Sequence, residues 1–393
     1  MTDRKPQPFR SEWPISTSRP VASPLFPSVV YSSADPDALD ALYDGKEPGF
    51  TYAREGHPNA KVLAALIDRM EGAEGGLITG SGMAAISLML MAYATAGDHV
   101  IGADQLYGRS LRLLTEELPR FGVETSLVDP TDASAVEAAL RPNTRLILIE
   151  TVSNPTLRVP DIDGIVALAK QHGFLVAVDN TFATPRGFNP FARGADIVLH
   201  SVTKLLAGHS DVTLGYVAAQ DAALNTRLDS LAATIGLTAS PFDCWLAERG
   251  IYTFDLRYDR ATENARALAD ALSAMPGVER VLYPTRADHP DTGRVADLLG
   301  GEGGHMVSFD IGGSRDRANA FIHALPGLNF APTLGDVATT ISHPVTSSHR
   351  SMPTDQRAAL GISEGFFRVS VGCEPIAPLI ETFKKAVFEA ATR

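Results

Sequence analysis

From about residue 60 to 250 the chain alternates helix-spaced apolar positions with short runs of consecutive apolar residues. LLTEELPRF precedes VETSLVD, the run RLILIET follows, IVALAKQHG precedes LVAVDN, and ADIVLHS closes the series. Runs that are apolar on both faces belong to strands buried in a parallel sheet, with the helical segments as crossovers. LVAVD ends in Asp179, which puts a carboxylate at the strand C-terminus, the edge where such sheets meet ligands. After residue 250 the pattern changes. RATENARALADALSAM carries Ala261, Ala265, Leu268, Leu272 and Met275 at helical spacing, then strand-like ERVLY, HMVSFDI and FRVSV lead to a last helix. The first 50 or so residues are rich in Pro and Ser with little periodicity. The expected organisation is an extended arm over 1–55, an α/β domain with a mostly parallel central sheet over 56–250, and a smaller α+β domain over 251–393. No repeat of fixed period and no low-complexity segment interrupts it.

Length agrees with this division, since 393 residues exceed what one hydrophobic core usually holds. A hydrophobic fraction of 45% without any bilayer-length apolar run points away from a membrane protein. MTDRKPQPFRSEWPISTSRP lacks the apolar centre of a secretory signal, so the expected location is the cytoplasm. Cys244 and Cys373 alone cannot build a disulfide framework or a multi-cysteine metal site, and buried free thiols are expected. The net charge of -12 argues against nucleic acid and anionic membranes as partners, because phosphate backbones call for clustered cations. A small anionic ligand stays compatible wherever a few arginines converge.

Four segments carry candidate chemistry. HSVTKLLAGHSDVTLG, residues 200–215, sets Ser201, Thr203 and Lys204 directly after an apolar strand. A lysine that bonds to an aldehyde must lose its proton, which calls for a partly desolvated place, and neighbouring hydroxyls can donate to phosphate oxygens. A lone lysine is far more often a surface side chain, so position and company carry the case. In VDNTFATP, a buried Asp179 is costly unless paired; a protonated ring nitrogen is one partner, and capping a turn is the competing use. LITGSGMAAISLML places Ser81, Gly82 and Met83 at a helix N-terminus, a ready anion site and equally an ordinary connecting turn. In FFRVSVG, Arg368 sits among apolar strand residues and needs an anion, either a ligand carboxylate or an internal acid. Tyr107 in LYGRS could stack on a planar ligand or lie half-buried without function.

Taken together the chain resembles the Cys/Met-metabolism family of pyridoxal-phosphate (PLP) enzymes of fold type I, which includes cystathionine γ-lyase, cystathionine β-lyase, cystathionine γ-synthase, methionine γ-lyase and the O-acylhomoserine sulfhydrylases. The family pattern S-x-T-K with a following G-H-S-D is matched by Ser201-Val202-Thr203-Lys204 and Gly208-His209-Ser210-Asp211. TYAREGHPNAKVL, GSGMAAI, LYG, ETVSNP, VDNTFATP, NARAL with GVERVLYP, TLGDVATT with HPVTSSH, and GISEGFFRVSVG extend the similarity over nearly the whole chain.

The resemblance implies Lys204 as the lysine joined to the cofactor and the proton carrier, and Asp179 as partner of the pyridine nitrogen. It implies phosphate contacts from Gly82, Met83, Ser201 and Thr203, ring stacking and leaving-group assistance from Tyr107, a polar contact from Asn154, and a carboxylate clamp at Arg368 with Thr339 beside it. Tyr52 and Arg54 match a tyrosine and an arginine that reach the phosphate from a neighbouring subunit, which implies a homo-oligomer, at least a C2 dimer and more typically a tetramer, with shared sites. The substrate would be a small sulfur-type amino acid or homoserine derivative, cleaved or exchanged at its side chain.

Departures bear on which substrate. Many relatives read S-L-G-G-x-E-S-L where this chain has Thr333-Leu334-Gly335-Asp336-Val337-Ala338-Thr339-Thr340, so a frequent Glu is Ala338. Arg109 stands where methionine γ-lyases carry Cys, facing either a distal carboxylate or an intersubunit ion pair. TLGDV with ISHP favours γ-chemistry, elimination or replacement, over a cystathionine β-lyase that releases pyruvate. A nicotinamide-dependent oxidoreductase would want G-x-G-x-x-G, absent from this glycine turn, and would leave Lys204 unexplained. A non-catalytic relative would have lost Lys204, Asp179 or Arg368, and all three are present. No metal site is expected from His200 with His209 or His343 with His349, whose spacings do not put both rings on one helix face.

Overall fold

In the computed structural model, which describes residues 17–350 and 352–391, two sheets organise the chain. The first contains β1 (Leu77–Thr79), β2 (His99–Ala103), β3 (Glu124–Val128), β4 (Thr144–Glu150), β5 (Leu175–Asp179), β6 (Ile197–Ser201) and β7 (Gly215–Ala219) in the order β1-β7-β6-β5-β4-β2-β3. Only β7 runs against its neighbours. The strands at the centre are buried along most of their length because their residues are largely apolar on both faces, and helices such as Gly82–Tyr93 and Ile162–His172 cover them. Crossover connections return every parallel strand to the same edge, so the C-terminal ends of β4, β5 and β6 lie side by side.

The second sheet contains β8 (Arg280–Leu282), β9 (Met306–Asp310), β10 (Asn329–Phe330), β11 (Thr340–Ser342) and β12 (Phe366–Ser370), ordered β10-β11-β12-β9-β8. Its core gathers Phe309, Phe321, Phe367 and Phe383 against the helix Phe254–Ser273 and the last helix, Ile376–Ala391. The helix Phe254–Ser273 serves both units. Phe254 and Tyr258 pack with Leu205 and Tyr216 of the first, whereas Leu268 and Leu272 pack into the second.

The arm differs from the extended chain expected of it. A helix spans Pro36–Tyr43, started by Asp35, whose carboxylate accepts from the Ala38 N–H, with Pro36 in the first turn. That capping signal stands in SADPDALDALY and outweighs the weak periodicity around it. Further upstream, part of the arm lies on its own chain. Trp245 Nε1 donates to the Ser23 carbonyl, Asn59 Nδ2 to Pro24 O, and the Phe26 N–H to Asn59 Oδ1. The cysteines are free thiols, Cys244 buried and Cys373 half-buried.

Candidate active site

The turn after β6 brings Lys204 back beneath the small unit. Its N–H donates to Ser201 O, its carbonyl accepts from the Gly208 N–H, and Nζ lies 3.4 Å from Thr333 Oγ1. Burial first, and the nearby Arg368 guanidinium second, draw the ammonium down to about 8. Thr333–Ala338 forms a loop over this turn, with the Val337 N–H on Gly208 O and the Gly335 N–H on Ser370 Oγ at 2.7 Å.

Asp179 ends β5 on the same edge. Its Oδ1 accepts from the Thr181 N–H at 3.0 Å and from Thr181 Oγ1 at 2.5 Å, while Thr181 Oγ1 in turn accepts from the Ser201 N–H at 2.8 Å. Burial pushes this carboxyl above its usual range, which a cationic partner at the free oxygen would reverse.

Between the two, Ser81 caps the helix Gly82–Tyr93 through the Ala84 N–H at 3.0 Å. The N–H groups of Gly82 and Met83 belong to the helix's unpartnered first turn. Gly82 lies so close to β6 that a Cβ on it would stand 2.8 Å from Ser201 Cβ and 3.0 Å from Ser201 Oγ. Two first-turn N–H groups, a hydroxyl and the positive end of a helix thus form a cradle that any side chain at 82 would fill. The Thr203 hydroxyl donates to Leu214 O and accepts from the Leu214 N–H, so it braces the lysine turn.

Arg368 enters from β12, paired with Ser308 of β9 and Ser342 of β11. Nη1 donates to Asn154 Oδ1 at 2.6 Å, Nη2 to Thr333 O at 3.1 Å, and the guanidinium lies 5.9 Å from the Phe182 ring centroid. Its buried Nε has no partner among the described residues, and burial holds the group down to about 10. Ser308 Oγ grips the carbonyl of Pro155, so neighbouring strands of the second sheet hold adjacent residues of the first unit.

Tyr107 follows β2 with its N–H on Glu150 Oε1 at 2.7 Å and its side chain partly exposed. Arg109 is exposed nearby and forms no ion pair with the described residues. Tyr52 and Arg54 stand apart on the arm side, the guanidinium 5.4 Å from the tyrosine ring centroid and Nη1 on Ala233 O.

Thr339 lies at the strand end. It is buried, its N–H and hydroxyl both donate to Glu374, and its oxygen accepts from the Gly372 N–H. Its N–H and hydroxyl are therefore engaged at the strand end, and Thr333 is the threonine beside the lysine. The motifs do not single out Thr333, Glu150 or Phe182. Glu150 had a signal, a charged residue closing the apolar run RLILIE just as Asp179 closes LVAVD; the other two depend on contacts across more than a hundred residues. Among the described residues no cluster of three or more His, Cys, Asp and Glu could hold a metal ion.

A lysine of lowered pKa, a strand-end carboxylate and an anion cradle on one edge, faced by a buried arginine, match what an aldehyde-bearing phosphorylated pyridine needs. A model of the family described as Cys/Met metabolism PLP-dependent enzyme matches residues 13–388. The chain belongs to that family. This Cys/Met-metabolism enzyme is 40% identical over 343 residues to a cystathionine gamma-lyase of Bacillus subtilis, covering 87% of the present chain and 90% of the relative. It is also 40% identical over 342 residues to the cystathionine beta-lyase MetC of Bacillus subtilis, covering 87% of each. Cystathionine gamma synthase from Xanthomonas oryzae pv. oryzae, solved with aminoacrylate and cysteine, superposes with a TM-score of 0.89 at 36% identity over 95% of this chain and 94% of that one. The architecture is that of fold type I, and the cofactor is pyridoxal phosphate.

Proposed function

We propose that this enzyme acts at the side chain of a sulfur-type amino acid or a homoserine derivative, eliminating or replacing its γ substituent. The observation that carries the reading is the amine of Lys204, desolvated and 3.4 Å from Thr333, at the same edge as Asp179 and beneath Arg368. Pyridoxal phosphate, when bound, supplies an electron-poor ring that accepts the electron pair left as the substrate Cα loses its proton. Gly82, Met83 and Ser201 would hold the phosphate end, with Thr203 bracing the turn that carries Ser201 and Lys204. Asp179 would pair with the ring nitrogen through the oxygen that Thr181 leaves free and would keep that nitrogen protonated. Arg368 receives the substrate α-carboxylate on its unpartnered Nε and on Nη2, with Asn154 fixing the fork. Lys204 Nζ would take the Cα proton and return it at a neighbouring carbon, and Tyr107 would cover the ring and assist the leaving group.

The preference for γ over β rests on the likeness of TLGDV and ISHP to methionine γ-lyases and acylhomoserine sulfhydrylases; the loop Thr333–Ala338 that contains TLGDV lies on the lysine turn through the Val337 N–H on Gly208 O. It ends in the uncharged pair Val337-Ala338, so no carboxylate from this stretch awaits a distal ammonium; Asp336 instead accepts from the Ala338 N–H. Arg109, exposed near Tyr107, suits an uncharged or anionic distal group. Relatives that cleave on either side share the same identity with this chain, so the product decides. Purified enzyme is incubated separately with cystathionine, methionine, O-acetylhomoserine, O-succinylhomoserine and cysteine, with and without a thiol. Release of 2-oxobutyrate, or a thiol-replacement product, is expected; pyruvate from cystathionine without 2-oxobutyrate reverses the preference.

The same reading takes the active form to be a dimer of dimers, with Tyr52 and Arg54 completing the phosphate site of a neighbouring subunit. Exposed Leu25, Phe26, Val29 and Val30 in the arm give that contact an apolar surface. Light scattering on the purified protein tests it, and a monomer with full activity would refute it. A cytoplasmic setting goes with this reading, where Cys244 and Cys373 stay reduced.

A further inference from the structure

Glu150 has no part in the roles given so far, yet it occupies the position on β4 that Asp179 occupies on β5. The two are Cα partners in a parallel pair, so their side chains leave the same face of the sheet at its ligand-facing edge. Two carboxyl groups so placed, Glu150 buried and Asp179 half-buried, do not both ionise readily. They differ in what supports a charge. Asp179 Oδ1 receives two donors from Thr181. Glu150 Oε1 receives the Tyr107 N–H at 2.7 Å, while Oε2 is buried with no hydrogen-bond partner among the described residues.

The groups facing Glu150 are Asp179, the Arg368 guanidinium and the backbone N–H groups of Tyr107 and Asn154, of which that of Tyr107 forms the hydrogen bond. Burial first, then Asp179, push its carboxyl up; the two N–H groups and Arg368 oppose them without prevailing. A protonated carboxyl still offers Oε1 to Tyr107, and it leaves no anion on an oxygen that nothing donates to.

We propose that Glu150 is a positioning residue that works as a neutral carboxylic acid, tying the loop that carries Tyr107 to the strand ends and leaving Asp179 the only anion of the pair. This rests on the reading of Asp179 and Tyr107 as cofactor-facing residues. Glu150 thereby holds the backbone of Tyr107 in place without weakening the bond between Asp179 and a protonated ring nitrogen. An ionised carboxylate in its place would compete with Asp179 for that proton.

The holoenzyme separates the two charge states. Glutamine keeps the acceptor oxygen and is neutral, so Glu150→Gln should leave the pH midpoint of the bound cofactor's absorbance unchanged and kcat within about threefold of the parent. Glu150→Ala removes the acceptor and should lower kcat by about tenfold or more, with the midpoint again unmoved. If Glu150→Gln moves the midpoint down by about half a unit or more, an anion has been removed and the proposal fails. It fails equally if Glu150→Ala retains full kcat, or if the glutamine variant is as impaired as the alanine one. Asp179→Asn is the companion variant. A changed absorbance there, with Glu150→Gln unchanged, supports the division of roles, whereas an unchanged spectrum removes the reading of Asp179 and this proposal with it.

Discussion

Gly335 lies against the backbone of Lys204, close enough that a Cβ on it would stand 2.8 Å from the Lys204 carbonyl carbon and 2.3 Å from the Leu205 nitrogen. Its φ of +79° independently favours glycine. Alanine at 335 must therefore lift the loop from the lysine turn, taking Thr333 away from the amine. Gly335→Ala is expected to cost about 1–3 kcal/mol in urea unfolding and to raise KM, since the Thr333 carbonyl also fixes Arg368. Unchanged stability and KM would show that the loop does not hold the site together.

The lowered Lys204 pKa has a kinetic consequence. Only the neutral amine can bond to an aldehyde, so cofactor-free protein should take up pyridoxal phosphate at a rate that rises with pH and levels off above about 8, well below the ordinary lysine value. Arg368 is the second cause of the shift, and removing its positive charge favours the ammonium. Arg368→Met should thus move the midpoint to higher pH, and Lys204→Ala should take up nothing covalently. Stopped-flow absorbance across a pH series measures all three.

Arg368→Lys keeps a charge but loses the fork that spans Asn154 and Thr333. Loss of bidentate geometry predicts a rise in KM of about tenfold or more with a smaller change in kcat. Steady-state kinetics on the best substrate supplies the test; equal KM values would disconnect Arg368 from the α-carboxylate.

Acid should weaken the fold through two buried imidazoles. Burial, then Arg368, lower His305 to about 3 and His349 to about 4, so the unfolded chain binds their protons first as pH falls. Their neutral forms contribute stability that is complete above about pH 6.5 and declines below it, by at most about 1.4 kcal/mol per unit for each group, until their folded pKa values are reached. His305→Gln should flatten the fall in unfolding free energy between pH 6.5 and 5. A slope equal to that of the parent would show that another group governs the acid limb.

Much of the site was legible in the sequence because its residues are chemically out of place. Lys204, Asp179 and Arg368 are charged residues at or within apolar runs, and burying them demands a use. The boundaries of LVAVD coincide with β5 for the same reason: it has no polar residue before Asp179. Thr333 was hidden, since a threonine in a loop is unremarkable until the second unit folds its carbonyl onto Arg368 and its hydroxyl near Lys204. Thr339 is the opposite case. Its place in the motif suggested a ligand contact, but the partner that claims it, Glu374, lies 35 residues on and has no mark of its own.

The loop over the lysine is anchored almost wholly by main chain: the Gly335 and Val337 N–H groups, the Val337 carbonyl that accepts from Cys373, and the Thr333 carbonyl on Arg368. Side chains at 337 and 338 take no part in that anchoring. Substitutions at these two positions can therefore leave intact the main-chain ties that keep Thr333 beside Lys204 and Arg368.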